Sequence, residues 1–192
     1  MLDLACGSGR HARFLAAAGH PVLAVDRDAA ALAEARGAGI ATLQVDLESR
    51  GGLVQWPFEA GRFSGIVVTN YLHRPLFPHI VASLAPGGVL IYETFARGNE
   101  RFGKPSNPDF LLWPGELLNL AQTGVPDPLR IIAFEDGSWE PPGRVVPAQL
   151  SLLTIPTCEA TAVRLRSESA SVGRFGLGAH LDVKRPNRGS GG

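Results

Sequence analysis

The stretch LDLACGSGR, residues 2–10, places an aspartate between two leucines and follows them with two glycines. A short apolar run, then glycines, then a helix-periodic segment predicts a strand, a tight turn and a helix. Such a turn directs backbone N–H groups and the positive end of the helix at whatever lies above it. Because Gly7 and Gly9 have no Cβ, a ligand can approach the backbone closely. The stretch therefore predicts a nucleotide site at the end of the first strand.

Apolar segments and helix-periodic segments alternate through residue 135, which is typical of a parallel sheet with crossover helices. Strands are predicted at residues 1–5, 21–25, 40–45, 65–69, 89–94 and 129–134. Helices are predicted at residues 9–18, 29–36, 75–84 and 114–122. The first helix is expected to end at Gly19 and to carry Phe14 and Leu15 on its inward face. Residues 85–88 form a Pro/Gly turn before the fifth strand, and residues 96–110 form a long polar loop.

The pattern weakens beyond residue 135, so we divide the chain into three parts. Residues 1–135 form the ligand-binding domain, and residues 136–166 form a divergent closing segment. Residues 150–155 or 160–165 are the two candidates for a final strand. Without an antiparallel closing strand, the sheet would keep an exposed edge. Residues 167–192 are rich in Ser, Gly and Arg, and we expect them to be a disordered tail.

The composition describes an ordinary globular domain of 192 residues with 45% hydrophobic content. Its 18 basic and 18 acidic residues balance, so no global charge attracts nucleic acid or an anionic membrane. No apolar run is long enough for a transmembrane helix, and we expect no signal peptide. Cys6 and Cys158 have neither metal-ligand spacing nor a disulfide framework, so we expect no metal site and a cytoplasmic location.

Carboxylates at the ends of three predicted strands discriminate between nucleotide ligands. GSGRHA matches the loose dinucleotide pattern, and Asp26 lies at the strand end from which a carboxylate binds ribose hydroxyls. Asp3 suits a ligand that carries an ammonium or sulfonium charge. Asp46 ends the third strand, where it could meet an adenine amino group. Together with the turn at residues 86–88, these acids favour S-adenosylmethionine over NAD.

Residues 1–135 resemble the class I S-adenosylmethionine-dependent methyltransferases. The family's acid-x-Gly-x-Gly-x-Gly motif corresponds to Asp3, Ala5, Gly7 and Gly9, with alanine replacing the first glycine. The resemblance implies a doubly wound, Rossmann-like α/β fold whose sheet has six parallel strands, one antiparallel strand and helices on both faces. It leaves open whether the sheet is complete at its two ends. The cofactor-binding residues that it implies are Asp3, Ala5, Gly7, Gly9, Asp26, Arg27, Asp46, Leu47 and Asn70.

Within the family, residues 2–11 and 70–77 look most like small-molecule methyltransferases of the tellurite-resistance type. The implied reaction is displacement at the sulfonium methyl, in which the protein mainly aligns the reactants and excludes water. We expect Tyr71 to wall the methyl pocket and His73 to take a proton from the acceptor, since imidazole exchanges protons near neutral pH. A packing role for Tyr71 and a capping role for His73 remain alternatives.

Residues after the fourth and fifth strands bear on which class of molecule accepts the methyl group. Glu93 and the loop side chains Asn99, Arg101 and Lys104 are candidates for an acceptor pocket or lid, and a solvated loop is the alternative. DNA amino-methyltransferases carry an Asn/Asp-Pro-Pro-aromatic run where this chain has NYLH, residues 70–73. We therefore expect a small-molecule acceptor, no nucleic acid and no membrane.

Two other functions remain open from the sequence. A nicotinamide-dependent oxidoreductase would rest on GSGRHA and Asp26 alone. A non-catalytic cofactor-binding or interaction protein is the other alternative, because the resemblance starts at the first strand and fades after residue 135.

Overall fold

A computed structural model describes residues 1–48, 54–123, 128–139 and 146–154, with backbone alone for 138–139 and 146–154. The strands are β1 Leu2–Leu4, β2 Val22–Asp26, β3 Ile40–Gln44, β4 Phe63–Thr69, β5 Leu84–Phe95, β6 Arg130–Trp139 and β7 Val146–Thr154. The helices are α1 Arg10–Ala17, α2 Ala29–Ala35, α3 Phe77–Ala82 and α4 Glu116–Thr123. Short 3₁₀ turns occupy Arg74–Leu76, Asn99–Arg101 and Pro108–Phe110.

The strands form one sheet of seven in the order β3-β2-β1-β4-β5-β7-β6. β1 to β5 pair in parallel, and β7 runs antiparallel between β5 and β6. The predicted α/β class with a mostly parallel sheet is confirmed. From β1 the chain proceeds outward to β2 and β3 and then returns to β4 on the other side. A sheet of this kind leaves a crevice at the carboxyl ends of the strands flanking that reversal, where ligands bind.

Both faces of the sheet are covered by helices. Leu2, Leu4 and Ile66 belong to a core cluster that includes residues of α3 and α4. Ala24 and Val67 point to the opposite face and belong to a second cluster that includes residues of α1 and α2. Burial of each large aliphatic side chain contributes about 1.5–3 kcal/mol. The side chains at the strand ends therefore project from a sheet whose two faces are both packed against helices.

The first helix follows its prediction except at one residue. Gly19 ends α1 as expected, because its N–H donates to Ala16 O and the next N–H, of His20, donates to Leu15 O. Leu15 is buried, but Phe14 is 48% exposed, so the inward placement of Phe14 was wrong. The sheet-facing stripe of α1 holds residues 11, 12 and 15. Phe14 lies outside that stripe because successive helical residues are about 100° apart.

The fifth strand begins earlier than predicted. Leu84 pairs with Phe63, and Val89 pairs with Gly65, so the four residues between them form a bulge within β5. A Cβ on Gly88 would lie 2.7 Å from Ala85 O, which explains why the bulge requires glycine there. The helix predicted over residues 75–84 ends at Ala82, because the chain already joins the sheet at Leu84.

The carboxyl-terminal strands correct the expectation of an exposed edge. β7 overlaps the first candidate, residues 150–155, and its antiparallel pairing occupies the edge of β5 from Val89 to Phe95. β6 continues to Trp139, five residues beyond its predicted end, because it forms a hairpin ladder with β7. The second candidate, residues 160–165, and the tail at 167–192 lie outside the described residues.

Within the described parts of the chain, no helix is long and apolar enough to cross a lipid bilayer.

We predict that Gly9→Ala destabilises the protein more than Gly7→Ala. Both glycines have positive φ, 79° and 53°, which costs an L residue about 1–2 kcal/mol. Only Gly9 is also crowded, since its Cβ would lie 2.6 Å from Ala35 Cβ, whereas nothing lies within 4 Å of a Cβ on Gly7. The free energy of unfolding in urea measures both losses. Equal losses of unfolding free energy in the two variants would show that close packing against Ala35 is not what requires glycine at position 9.

Candidate functional site

A cavity of about 440 Å³ opens at the carboxyl ends of the parallel strands. Its walls come from the loop after β1, the ends of β2 to β5 and the segment between β5 and α4. The lining residues are Ala5, Val25, Asp26, Arg27, Val45, Asp46, Leu47, Glu48, Asn70, Tyr71, Leu72, Thr94, Pro105 and Phe110. Charged side chains follow β2 and β3, whereas the walls after β4 and β5 carry apolar and neutral polar side chains. The two ends of the cavity therefore differ in charge.

The loop after β1 has an unusual backbone. Ala5 has φ 53°, in the left-handed region that L residues seldom occupy. The loop is tied to β2 by two bonds, in which Cys6 N–H donates to Val25 O at 3.0 Å and Gly7 N–H donates to Asp26 Oδ2 at 2.8 Å. Burial, with the carboxylates of Asp3 and Asp26 adding, raises the pKa of the Cys6 thiol to about 12. Cys6 is therefore a protonated spacer rather than a nucleophile.

Two carboxylates at the ends of β2 and β3 face the cavity. Asp26 is fixed through both oxygens, because Oδ1 accepts from Asp28 N–H at 2.9 Å while Oδ2 accepts from Gly7. Asp46 is exposed and accepts from Glu48 N–H at 3.0 Å, which orients its side chain, and Leu47 between them is buried. An ionised carboxylate has about four lone-pair sites. Both acids thus retain acceptor capacity for ligand hydroxyl or amino groups.

Asp3 lies beneath the loop and is only 1% exposed. Its Oδ2 accepts from Ala12 N–H at 2.8 Å, and its Oδ1 has no hydrogen-bond partner among the described residues. Burial raises the pKa of Asp3 to about 6, although Ala12 N–H and the Arg10 guanidinium oppose the rise. A buried, unpaired carboxylate oxygen is energetically costly. A cationic ligand group bound above the loop would offset that cost.

The tip of β4 is held by β5. Asn70 has φ 55°, and its N–H donates to Glu93 O at 2.9 Å. The buried Tyr92 hydroxyl donates to Tyr71 O at 3.0 Å. Burial, followed by the Glu48 carboxylate, raises the pKa of Tyr71, so its phenol is protonated at neutral pH. The turn after β4 thus presents a neutral hydroxyl and a planar ring to the cavity.

His11 is a buried polar residue that the sequence analysis missed. It lies in the first turn of α1, and its Nδ1 is 3.2 Å from Thr69 Oγ1, with which it shares a hydrogen bond. Burial lowers the pKa of His11, which favours the neutral imidazole. The pair ties α1 to the last residue of β4, so it holds together the two elements that flank the crevice.

The structure brings most of the predicted site residues to one cavity. Seven line it directly: Ala5, Asp26, Arg27, Asp46, Leu47, Asn70 and Tyr71. Asp3, Gly7 and Gly9 are not among the lining residues and form or support the loop from behind. His73 is half-buried and precedes the 3₁₀ turn, without a side-chain cap hydrogen bond and away from the lining. Its role as a base stays a prediction.

None of the four residues predicted for the acceptor pocket or lid lines the cavity. Other residues on the same elements do. Glu93, Asn99, Arg101 and Lys104 do not line the cavity, whereas Thr94, Pro105 and Phe110 do. Thr94 follows Glu93 on β5, and side chains alternate along a strand, so these neighbours face opposite sides of the sheet. Pro105 and Phe110 lie in the long loop between β5 and α4. No local sequence pattern specifies the path by which that loop brings them to the cavity.

Comparison with known sequences finds one family similarity in the amino-terminal part of the chain. Residues 1–88 match a family described as a methyltransferase domain. The match supports the resemblance of this part of the chain to the class I S-adenosylmethionine-dependent methyltransferases. The cofactor that this similarity implies is S-adenosylmethionine, rather than a nicotinamide. The similarity to the tellurite-resistance type stays a prediction. No curated protein matches the chain at a significant level.

Solved structures of methyltransferases share the fold. A S-adenosylmethionine-dependent methyltransferase from Mesorhizobium loti is 20% identical with a TM-score of 0.63, covering 80% of this chain and 89% of its own. One from Methanosarcina mazei is 16% identical with a TM-score of 0.60, covering 80% and 91%. A third neighbour is the [4+2]-cyclase SpnF, 13% identical with a TM-score of 0.59, covering 81% and 73%. At these identities, the likeness establishes the fold alone.

We predict that Asp3→Asn does not destabilise the ligand-free protein at pH 8. The raised pKa means that ionised Asp3 destabilises the folded state above pH about 6, and that this penalty disappears as pH falls toward the ordinary value of 3.8. The Asn oxygen can still accept from Ala12 N–H. The variant should therefore be at least as stable as wild type at pH 8, and its advantage should shrink at pH 5.

Urea unfolding of both proteins at the two pH values measures this difference. A variant that is much less stable than wild type at pH 8 would show that the carboxylate stabilises the free protein.

Proposed function

We propose that the cavity holds S-adenosylmethionine and that the protein transfers its methyl group to a small-molecule acceptor. The observation that carries the proposal is the arrangement of three acids around one glycine loop. Asp26 and Asp46 face the cavity, and Asp3 lies directly beneath the loop with one buried oxygen unpaired. A ligand with an adenosine at one end and a cationic amino acid at the other matches this distribution of charge.

The residues present fit that cofactor. Asp26 would accept from the ribose hydroxyls, while Asp46 and buried Leu47 would hold the adenine by a polar and an apolar contact. The loop at Ala5 and Gly7 and the turn at Asn70 would hold the amino-acid portion. Arg27 lines the adenosine end of the cavity. The unpaired Asp3 Oδ1 is the structural observation that favours a cationic ligand.

Bound S-adenosylmethionine supplies a methyl group that its positive sulfur already activates for displacement. The chain's part is to align the acceptor and to exclude water, which contributes roughly 7–11 kcal/mol at best. Tyr71, Leu72 and Phe110 provide apolar walls for this purpose, and Thr94 adds a hydroxyl. Because the Tyr71 phenol stays protonated, it cannot serve as the base for the acceptor.

These walls support a small acceptor with an apolar body. The non-catalytic alternative rested in part on the weak pattern after residue 135, and β7 in that region pairs with β5. Methyl transfer is therefore the function that we propose for this site.

We predict that the wild-type protein binds S-adenosylhomocysteine in the micromolar range and does not bind NAD. Asp26→Asn should weaken S-adenosylhomocysteine binding by about 10- to 100-fold, because hydrogen bonds to a charged group contribute about 1.5–3 kcal/mol. Isothermal titration calorimetry with each ligand gives both results.

Asp28→Asn is the matched control. Asp28 is two residues away and does not line the cavity, and it caps α2 by accepting from Ala30 N–H at 2.8 Å, which asparagine can also do. Its affinity should equal that of wild type. Binding of NAD but not S-adenosylhomocysteine, or equal losses in the two variants, would contradict the proposal.

A further inference from the structure

The segment between β5 and α4 closes on itself next to the cavity. Arg97 N–H donates to Leu112 O and Leu112 N–H donates to Phe95 O, both at 2.9 Å, so the two ends are joined by a short parallel bridge. We call residues 97–112 the wall loop. It delivers Pro105 and Phe110 to the cavity.

The amino-terminal half of the wall loop is organised around Asn99, which is fully buried. Asn99 Nδ2 donates to Pro105 O at 2.9 Å. Its backbone carbonyl accepts from Phe102 N–H at 2.8 Å and Gly103 N–H at 3.1 Å. This half is therefore held from within, and Pro105 is attached to it.

In the half that carries Phe110, Leu111 and Leu112 are fully buried, and one guanidinium binds the backbone on both sides of Phe110. Arg74 Nη1 donates to Asp109 O at 2.6 Å, and Arg74 Nη2 donates to Leu111 O at 3.0 Å. These carbonyls belong to the residues immediately before and after Phe110. Phe110 itself is 44% exposed, so packing alone holds it weakly.

The same guanidinium is fixed by Glu116 in the first turn of α4. Arg74 Nε and Nη2 donate to the two Glu116 oxygens at 2.5 and 2.9 Å, and Glu116 Oε2 also accepts from Trp113 N–H at 2.7 Å. The Arg74 and Glu116 side chains are 34% and 14% exposed. A bidentate pair of this kind orients the planar fork, and a lysine cannot reproduce that geometry.

Arg74 also follows closely, in the sequence, the residues after β4 that line the cavity. It begins the 3₁₀ turn that follows Asn70, Tyr71 and Leu72, all of which line the cavity. The guanidinium therefore connects the turn after β4 to the wall loop, across the end of the cavity that carries no charged lining residue among those described.

We propose that Arg74 is a positioning residue that sets Phe110 as the acceptor-side wall of the cofactor cavity, with Glu116 holding its guanidinium in place. This inference rests on the proposed function, because it assigns a task to the same cavity. Arg74 touches no reacting atom in it. Its effect is to keep the wall loop against the turn after β4, so that a bound ligand is covered.

The test compares Arg74→Lys and Glu116→Gln with Arg36→Ala, which removes an exposed guanidinium at the end of α2. The glutamine variant is the milder change, since its oxygen can still accept from Trp113 N–H. Circular dichroism and thermal unfolding establish that each variant folds. The probe is S-adenosylhomocysteine, whose dissociation rate is measured by stopped-flow fluorescence, and hydrogen exchange reports on the wall loop.

We expect roughly tenfold faster release of S-adenosylhomocysteine from the lysine and glutamine variants, the factor that corresponds to one net hydrogen bond. Exchange of the amides of residues 107–112 should rise in parallel, with both quantities unchanged in Arg36→Ala. Faster exchange with unchanged release would overturn the inference and leave Arg74 a structural anchor. Wild-type protein that does not bind the probe would overturn the proposed function itself, and this inference with it.

Discussion

The hydrogen bond from Gly7 N–H to Asp26 Oδ2 joins the two parts of the molecule on which the cavity depends. The loop after β1 turns through left-handed backbone at Ala5 and Gly7, so it needs an external tether to hold that shape. The 2.8 Å bond supplies the tether and at the same time orients the carboxylate, whose other oxygen accepts from Asp28 N–H. The loop and the acid therefore form one unit, in which backbone groups rather than a free rotamer decide where the acid points.

The free protein carries an electrostatic cost beneath that unit. Asp3 is buried with one oxygen unpaired, and its pKa is raised to about 6. Such a carboxylate is unfavourable for folding, and strongly perturbed carboxylates are common at functional sites. Around it the packing is firm, with Gly9 against Ala35 and His11 bonded to Thr69. The site thus combines a rigid framework with a buried Asp3 carboxylate that a cationic ligand group would stabilise.

The sequence predicted the cavity residues at the ends of β1 to β4 much better than those on β5 and the wall loop. Ala5, Asp26, Asp46 and Asn70 lie at or just after the ends of strands. Because the carboxyl ends of parallel strands meet at one edge, local patterns located these residues. The carbonyls on both sides of Phe110 bind Arg74, which is 36 residues away in the sequence, and local patterns do not specify such contacts. β7 was similarly hard to predict, because its identity depends on ladders with β5 and β6 rather than on its own periodicity. Phe14 shows how precise a helix prediction has to be. It is one residue from the buried Leu15, and that is enough to place its side chain outside the buried stripe.

The central claim is that the glycine loop and its three acids hold the adenosyl amino acid. Amide chemical-shift mapping by NMR during titration with S-adenosylhomocysteine tests it most directly. The account predicts that the largest shifts fall on the amides of residues 5–8, 26–28, 46–48 and 70–71, at the tips of β1 to β4. Shifts confined to the opposite, amino-terminal ends of the strands, or absent at saturating ligand, would contradict it.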